Sequence, residues 1–220
     1  IVLLRAENPA LRAYHNPCRH RGSILCTEVQ GHFKGQHITC PYHAWTYSLD
    51  GRLIDTPRRM PTSDFEASNF SLFPVHVNSW GGYIFINLRK NKPPALASAL
   101  GELPSRFVRY GFENLRIGKR IVADVQANWK LLAENFSECF HCPPVHPELC
   151  RVVSSYQEAG AWGLSKVSSN HPEYKSGAKT LTLDGSARIP PFKALNESEQ
   201  AALYTPWMMP PNLFLNIHPD

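Results

Sequence analysis

The sequence predicts an α+β fold in which a small antiparallel β domain precedes a domain that contains a helix and further strands. Residues 1–90 consist of short apolar stretches separated by turn residues, which is the pattern of antiparallel β structure. The composition changes at Asn91-Lys-Pro-Pro, and from residue 128 apolar residues recur with a helical period. The expected boundaries are 1–92 for the first domain, 93–115 for a connector and 116–220 for the second domain.

Turn signals divide the first domain into short predicted strands. Gly81-Gly82 breaks the chain before one apolar stretch, and Asp50-Gly51 between two others predicts a tight hairpin turn. These features indicate a small antiparallel barrel or sandwich. The strands expected are Ile1–Leu4, His37–Cys40, Ala44–Tyr47 and Tyr83–Leu88.

The second domain is expected to begin with a strand at residues 116–126 that leads into a helix. Asn128 is a suitable N-cap for this helix, because its side chain can accept a hydrogen bond from an amide of the first turn. Pro143-Pro144 and Pro147 are expected to end or distort it. Apolar residues predict its buried face at positions 129, 132, 133, 136 and 140.

The remaining elements follow from shorter patterns. In the connector, apolar residues at 96, 100, 103 and 107 predict a helix that Pro104 interrupts. Near the end of the chain the sequence predicts strands at Val152-Val153, Leu181–Leu183 and Leu213–Ile217, a short helix at Glu197–Leu203 and a loop at Ser169–Thr180.

Composition narrows the functional classes. Hydrophobic residues make up 43% and charged residues 19% of the 220 residues, which is ordinary for a globular protein, and no apolar run approaches the length of a membrane span. The net charge is +5, without a basic stripe interleaved with aromatic residues, so neither nucleic-acid nor membrane binding is expected. The first residues, Ile-Val-Leu-Leu, are too few for a signal peptide and resemble the middle of a strand. We therefore expect a cytoplasmic protein whose chain is cut at the start.

Two short cysteine–histidine pairs carry the strongest chemical signal in the sequence. Cys18-Arg-His20 and Cys40-Pro-Tyr-His43 each offer one thiolate and one imidazole, with nineteen residues between His20 and Cys40. A [2Fe–2S] cluster with two cysteines on one iron and two histidines on the other needs two such loops. Because neutral imidazoles replace two thiolates, the reduction potential rises to roughly −150 to +300 mV, against about −400 mV for an all-cysteine plant-type cluster. The pairs thus predict a one-electron relay.

A zinc site with two cysteines and two histidines is the alternative. Zinc fingers usually place cysteine with cysteine and histidine with histidine, whereas here the two types alternate within each pair. The cluster is therefore favoured over zinc.

Four further cysteines, Cys26, Cys139, Cys142 and Cys150, are interpreted as free thiols in a reducing cytosol. Cys139 and Cys142 form a Cys-x-x-Cys motif, which leaves a redox or metal-binding role open.

A second metal site is predicted around two histidines near a proline turn. His141 and His146 are five residues apart, and Pro143-Pro144 between them must end a helix, so their imidazoles can converge. Two histidines and a carboxylate form the facial triad of non-haem Fe(II) oxygenases. Glu134 and Glu138 lie seven and three residues before His141, where either could be a ligand or could orient its ring. Taken alone, the histidines could also be unrelated.

Together these segments resemble the terminal oxygenase (α) subunit of the Rieske non-haem iron oxygenases. Cys18-Arg-His-Arg-Gly and Cys40-Pro-Tyr-His-Ala-Trp are similar to the cluster signature of that family. Asn128-Trp-Lys and Glu134-Asn-Phe-Ser-Glu-Cys-Phe-His141, followed by His146-Pro, are similar to its mononuclear-iron signature. The resemblance implies a Rieske domain followed by the first part of a helix-grip, START-like catalytic domain.

The resemblance also implies roles for individual residues. Cys18, Cys40, His20 and His43 would bind the cluster, and His141 and His146 the mononuclear iron. Glu138 and Asn135 stand at catalytic positions of the iron signature, and Glu138 would bridge His141 to His43 of a neighbouring subunit in a homotrimer. The carboxylate ligand of the iron is expected beyond residue 220, since Asp184 and Asp220 come too early. Electrons would come from NAD(P)H through a separate reductase or ferredoxin, because the chain has no GxGxxG fingerprint.

Departures from the family pattern bear on the substrate. The family usually has Asp where this chain has Glu138, and the longer residue resembles oxygenases that act on quaternary ammonium compounds. Ala44 replaces a common glycine, and the loop from His20 to Cys40 is about two residues longer than usual, with no ligand lost. A quaternary ammonium cation suits an aromatic cage, for which four residues are available: Trp162, Tyr204, Trp207 and Phe214. Ring hydroxylation of an aromatic compound is the alternative, and a Rieske ferredoxin that only carries electrons represents a different class.

Overall fold

The structure of the chain is a computed structural model that divides into two compact units. Unit 1 comprises residues 1–107 and 111–115, and unit 2 comprises residues 108–110 and 116–220. The structure describes residues 1–6, 10–57, 62–153, 156–157, 174–201, 205–209 and 212–218, with only the backbone of 201 and 205–209.

Unit 1 contains two antiparallel sheets. The first has four strands in the order β1-β2-β6-β7, and the second has three strands in the order β3-β4-β5. Tight turns connect β4 to β5 and β6 to β7, as the Asp-Gly and Gly-Gly pairs in the sequence predict. The strands are β1 (Val2–Arg5), β2 (Leu11–Tyr14), β3 (His37–Thr39), β4 (Thr46–Ser48), β5 (Leu53–Asp55), β6 (Pro74–Trp80) and β7 (Tyr83–Asn87).

The core of unit 1 lies where β1, β2 and the second sheet meet the cysteine loops. Tyr47 and Ile38 are almost completely buried, and Leu4, Trp45 and Leu53 pack in the same cluster. Burying a side chain of this size contributes about 1.5–3 kcal/mol to the free energy of unfolding. The predicted cluster cysteines belong to this core, so the fold holds their sulfur atoms inside the unit.

Two short α-helices follow β7, two 3₁₀ turns follow at Val108–Tyr110 and Phe112–Asn114, and residues 115–128 form no helix or strand. Helices α1 (Leu96–Leu100) and α2 (Leu103–Phe107) confirm that the connector helix is interrupted, but the break falls at Gly101 and Glu102, and Pro104 lies in the first turn of α2 instead of causing the break. The predicted strand at 116–126 is wrong: this segment forms no strand, and Ile117, Ile121 and Val122 are exposed. A strand needs a neighbouring strand to hydrogen-bond with, and none of the sheets in the described part of the chain includes this segment.

Helix α3 (Trp129–Phe136) begins where the sequence predicts. Asn128 is its N-cap, and its side-chain oxygen accepts a hydrogen bond of 3.0 Å from the amide of Lys130. The predicted buried face is wrong in extent, because Ala133 is buried while the other four of its residues are exposed to solvent. An apolar period specifies the helix, but burial needs a second surface to cover that face.

The prolines after α3 act differently from the prediction. Helix α3 already ends at Phe136, where Ser137 donates its amide to the carbonyls of Ala133 and Glu134. Pro143-Pro144 then lies in the first turn of α4 (Cys142–Val145), and Pro147 begins α5 (Pro147–Val152). Proline suits this position because its missing N–H would have no partner within the helix.

The end of unit 2 confirms some elements and corrects others. Helix α6 (Glu197–Ala201) and strand β9 (Leu213–Ile217) occur as predicted, although Leu203 lies outside the described residues, and β9 pairs with β8 (Thr205–Met209). The loop predicted at Ser169–Thr180 is described only from residue 174, where residues 175–180 form turns without a helix or strand.

Two predicted strands are wrong. Leu181–Leu183 enters a turn, because Asp184 accepts hydrogen bonds from the hydroxyl of Thr182 and the amide of Ser186. Val152 ends α5, and Val153 forms a single bridge with Tyr174. In the part of the chain that the structure describes, no helix is long and apolar enough to cross a membrane.

The β4–β5 turn depends on a glycine at a crowded position. Gly51 has φ +85°, and a Cβ atom at this position would lie 2.5 Å from a ring carbon of Tyr14. Tyr14 is buried and donates its hydroxyl to the carbonyl of Leu49, so its ring cannot move without breaking that hydrogen bond. Gly82 has almost the same φ, +84°, with no described atom within 4 Å of such a Cβ.

We expect Gly51→Ala to lower the free energy of unfolding more than the matched variant Gly82→Ala. Backbone strain alone costs about 1 kcal/mol at either position, and overpacking against Tyr14 adds about 1–3 kcal/mol at position 51. Chemical denaturation followed by circular dichroism measures both. Equal losses in the two variants would mean that the Tyr14 contact does not restrain the turn.

Candidate cluster and iron sites

The two cysteine loops of unit 1 close on themselves in the same way. The amide of Cys18 donates to the carbonyl of Ser23 at 2.8 Å, and the carbonyl of Cys18 accepts from the amide of Gly22 at 2.9 Å. In the second loop the amide of Cys40 donates to the carbonyl of Trp45, and the carbonyl of Cys40 accepts from Ala44. Each cysteine is thus fixed by the residues four and five positions after it.

Both loops need a left-handed residue at the position that closes them. Gly22 has φ +72° and Ala44 has φ +57°. Glycine adopts this conformation without strain, whereas alanine there costs roughly 1–2 kcal/mol. The replacement of a common glycine by Ala44 therefore leaves the geometry of the loop intact and adds strain to it.

The loops separate the sulfur atoms from the imidazoles. Cys18 and Cys40 are each 3% exposed, while His20 and His43 are exposed side chains whose ring centroids lie 4.8 Å apart. Desolvation of its ring, aided by the nearby His43 and Arg21, lowers the pKa of His20, which favours the neutral form that binds a metal. Two thiols on one side and two imidazoles on the other fit a cluster with two ligands on each iron.

The hydroxyl of Tyr47 contacts the first cysteine loop. Its hydroxyl accepts a hydrogen bond from the amide of Arg19 at 3.1 Å and lies 3.2 Å from the sulfur of Cys18. Burial, together with the hydrogen bond to Cys18, raises the pKa of Tyr47, so the phenol keeps its proton. With its oxygen already accepting from Arg19, the hydroxyl proton is free to point at the sulfur. Sequence patterns missed this contact, since the two residues are 29 positions apart.

Trp45 supports the imidazole side. Its ring is stacked on that of His20 with centroids 4.6 Å apart and an interplanar angle of 8°. Phe65 and Phe70 contact the indole edge to face, with ring centroids 6.1 and 5.6 Å from that of Trp45. The sequence places Trp45 two positions after His43, but the sequence analysis did not predict that its ring would stack on His20.

The mouth of the first loop is held by Asn16. Its side-chain amide donates to the carbonyl of Cys26 at 2.8 Å and its oxygen accepts from the amide of Cys26 at 2.9 Å. The thiol of Cys26 is free, as predicted.

In unit 2 the structure brings the two predicted iron histidines together. His141 precedes α4 and His146 stands between α4 and α5, with their ring centroids 5.4 Å apart. The Nδ1 atom of His141 lies 2.7 Å from Oε1 of Glu138. Glu148, which the sequence had not singled out, places Oε1 3.8 Å from Nδ1 of His146. The hydrogen-bonded carboxylate at Nδ1 of His141 leaves Nε2 of that ring to face a metal, whereas Glu148 is beyond hydrogen-bond distance of His146.

Glu138 is bound from two directions. One carboxylate oxygen contacts Nδ1 of His141 and the other accepts the amide of Phe140. The hydrogen bond from His141, followed by that from Phe140, lowers the pKa of Glu138. Glu134 and Asn135, predicted near this site, are exposed on α3, and within the described part of the chain neither makes a hydrogen bond to the histidine pair.

A third iron ligand does not come from the residues described. No three His, Cys, Asp or Glu side chains among them are grouped around one metal position. The carboxylate of Asp184 is engaged in its own turn, and Asp220 lies outside the described residues. The ligand expected beyond residue 220 stays a prediction.

The disulfide between Cys139 and Cys142 corrects the prediction of free thiols at these positions. Their Cα atoms are 5.0 Å apart, within the usual range for a disulfide. The prediction rested on the expected redox compartment, which says nothing about the turn between α3 and α4 that brings these residues together. Cys150 is free and buried nearby, as predicted.

The structure describes the side chain of Phe214 alone among the four residues of the predicted aromatic cage. Trp162 and Tyr204 lie outside the described residues, and only the backbone of Trp207 is described. Phe214 contacts Phe136 of α3 edge to face, with ring centroids 5.5 Å apart. The cage therefore stays a prediction.

Comparison with known proteins identifies the two units. Residues 1–70 match the Rieske [2Fe-2S] domain, and residues 112–220 match the family of the ring hydroxylating alpha subunit (catalytic domain). The chain belongs to the Rieske oxygenase family, as an oxygenase alpha subunit, which confirms the resemblance inferred from the sequence. The predicted α+β fold, a Rieske domain followed by a catalytic domain, is likewise confirmed.

Two relatives of the chain are oxygenase subunits of named monooxygenases. The chain is 40% identical over 158 residues to the glycine betaine monooxygenase oxygenase subunit of Pseudomonas aeruginosa, covering 72% of this chain and 36% of that protein. It is 33% identical to the carnitine monooxygenase oxygenase subunit of Acinetobacter pittii, covering 87% of this chain and 51% of that protein. The chain thus spans about a third to a half of the length of these relatives.

Solved structures agree with this assignment. The quaternary ammonium Rieske monooxygenase CntA matches with a TM-score of 0.61 and 35% identity, over 69% of this chain and 41% of that one. Naphthalene 1,2-dioxygenase from Rhodococcus sp. matches with a TM-score of 0.53 and 30% identity, over 67% of this chain and 35% of that one.

Tyr47→Phe should lower the reduction potential of the cluster without loss of cluster iron or sulfide. A hydrogen bond to a cluster sulfur stabilises the more negative reduced state, so its removal favours the oxidised state. Tyr14→Phe is the matched control, because it removes a buried hydroxyl that binds the carbonyl of Leu49 instead of a cysteine. Redox titration followed by EPR measures both, and an equal potential in the two variants would exclude the proposed role of Tyr47.

Proposed function

We propose that this chain is part of the oxygenase component of a Rieske monooxygenase that hydroxylates or N-demethylates a small quaternary ammonium compound such as a betaine. The observation that carries the proposal is the presence, on one chain, of two cysteine–histidine loops and a carboxylate-supported histidine pair. The first arrangement suits a one-electron relay, and the second suits an O2-activating iron. A Rieske ferredoxin would have no use for the second.

Each group of residues has a distinct task in this proposal. Cys18, Cys40, His20 and His43 hold the cluster, and His141 and His146 hold the iron with a carboxylate from beyond residue 220. When bound, the two groups supply one-electron transfer and O2 activation. Tyr47 holds its proton against the sulfur of Cys18, and Glu138 accepts the Nδ1 proton of His141, which fixes the ring with Nε2 toward the metal.

Glu138 is also proposed to connect subunits. Its carboxylate would bind His141 on one side and His43 of the partner subunit on the other, within a homotrimer. Electrons would enter from NAD(P)H through a separate reductase or ferredoxin, in the cytoplasm. Asn135 is kept as a catalytic candidate by its position in the iron signature alone.

The choice of substrate rests on the relatives and on Glu138. Proteins named as glycine betaine, carnitine and choline monooxygenases match this chain, and the structure of one quaternary ammonium monooxygenase matches it at 35% identity. Hydroxylation of an aromatic ring is the second candidate, favoured by the match to naphthalene 1,2-dioxygenase. Substrate-dependent O2 uptake by the intact enzyme with its reductase, using glycine betaine, carnitine and naphthalene separately, distinguishes the two.

Glu138→Gln should slow electron transfer to the mononuclear iron while cluster and iron contents stay normal. The amide occupies the same space as the carboxylate but loses its charge and one hydrogen-bond acceptor. Glu134→Gln, which removes the same charge from an exposed position on α3, is the matched control. Single-turnover kinetics measures the rate of cluster oxidation in the presence of substrate and O2. Normal turnover in Glu138→Gln would exclude the relay.

His141→Ala should remove the mononuclear iron and leave the visible spectrum of the cluster unchanged, because the two sites are held by different units of the chain. Iron analysis combined with the absorption spectrum measures both. Loss of the cluster together with the iron would mean that the sites are wrongly assigned.

A further inference from the structure

The disulfide between Cys139 and Cys142 encloses a proposed iron ligand. His141 is one of only two residues between the cysteines, and Glu138 comes directly before Cys139. The carboxylate of Glu138 binds both the amide of Phe140 and Nδ1 of His141. A covalent bond across this turn therefore restrains the same few atoms that orient the imidazole.

The turn is also tied to the core of unit 2. Cys139 and Cys142 are both buried and pack with Val152, Val153 and Tyr156. If the disulfide is reduced, its sulfur atoms must separate to a non-bonded distance inside this core. Interiors are densely packed, so the extra volume must be accommodated by movement of the turn or its neighbours. His141 lies on the segment that would move.

The two buried cysteines of the disulfide lie beside exposed residues. Phe140 is 63% exposed and Val145 is 60% exposed, so the turn and α4 lie at the surface of the unit although the sulfur atoms face inward. Cys150 is buried in the same core but remains a free thiol. It offers a comparison with the same chemistry and similar burial outside the turn.

We propose that Cys139 and Cys142 are a reversible thiol–disulfide couple, closed by a peroxide and opened by a dithiol, whose closed form holds His141 against Glu138. In closing, two S–H bonds break and one S–S bond forms, while the O–O bond of the peroxide is cleaved and its oxygen atoms leave with the two protons as water or alcohol. In opening, the dithiol gives two electrons and two protons to the cysteine sulfurs and becomes a disulfide. The positioning of a metal ligand rests on the proposed function, whereas the couple itself does not.

The first experiment measures the couple without reference to iron. Intact enzyme is treated with hydrogen peroxide or with dithiothreitol, desalted, alkylated with iodoacetamide and digested for mass spectrometry. We expect the peptide containing Cys139 and Cys142 to lose two hydrogens after peroxide and to carry two alkyl groups after dithiothreitol. The Cys150→Ser variant should behave identically. Alkylation of both cysteines after peroxide, or a cross-link from either one to Cys150, would overturn the couple.

The second experiment measures the positioning of His141. Ferrous iron is titrated anaerobically into the closed and open forms and into the double variant Cys139→Ser/Cys142→Ser, and binding is followed by the EPR signal of the nitric oxide adduct. Supports of a metal ligand typically change metal affinity by 10–100-fold, so we expect the open form and the double variant to bind about tenfold more weakly than the closed form. Cys150→Ser should bind as the parent protein does.

The possible failures are distinguishable. Equal iron affinity in the closed and open forms would overturn the positioning role of the disulfide. A cross-link that forms and opens as expected, in a protein that binds no ferrous iron in either form, would support the couple and contradict the proposed function.

Discussion

The backbone closure of the two cysteine loops is the constraint on which the cluster site depends. In each loop the cysteine binds, through its own amide and carbonyl, residues four and five positions later, and a left-handed residue completes the turn. This closure directs both sulfur atoms into the core of unit 1 and leaves His20 and His43 at its surface. Tyr47 and Trp45 then act on an arrangement that the backbone has already fixed. Ala44 tolerates the strain of the second loop because the core surrounding Cys40 holds it in place.

The proposed iron site of unit 2 is organised around the carboxylate of Glu138 instead of a sheet. Glu138 joins the end of α3 to the turn before α4 by binding the amide of Phe140 and the ring of His141, whereas Glu148 at the start of α5 lies 3.8 Å from the ring of His146, beyond hydrogen-bond distance. Short helices with prolines in their first turns bring the two rings together, although the histidines are five positions apart in the sequence. The same turn carries the disulfide, so the redox state of two cysteines and the orientation of one ligand share a single segment of chain.

Local chemistry determined which features could be predicted from the sequence. The N-cap at Asn128 and the hairpin at Gly51 depend on residues within a few positions, and the predictions for both are confirmed. The strand predicted at 116–126 and the buried face of α3 depend on partners elsewhere in the fold, which an apolar pattern cannot supply. The strand predicted at Leu181–Leu183 is wrong because hydrogen bonds to the carboxylate of Asp184 form a turn there instead. At the sites, the predicted ligand spacing was informative, while the contacts of Tyr47 with Cys18 and of Trp45 with His20 arise only when distant segments pack together.

The most direct test of the account is anaerobic EPR spectroscopy of the intact protein, combined with analysis of iron, zinc and acid-labile sulfide. The account predicts iron and sulfide, a signal after dithionite reduction whose average g value lies below that of the free electron, and a further high-spin signal when nitric oxide is added. The first signal reports a reduced [2Fe–2S] cluster, and the second reports the mononuclear ferrous iron. Bound zinc without sulfide would contradict the assignment of a two-metal oxygenase. A cluster signal without a further high-spin signal on addition of nitric oxide would also contradict it.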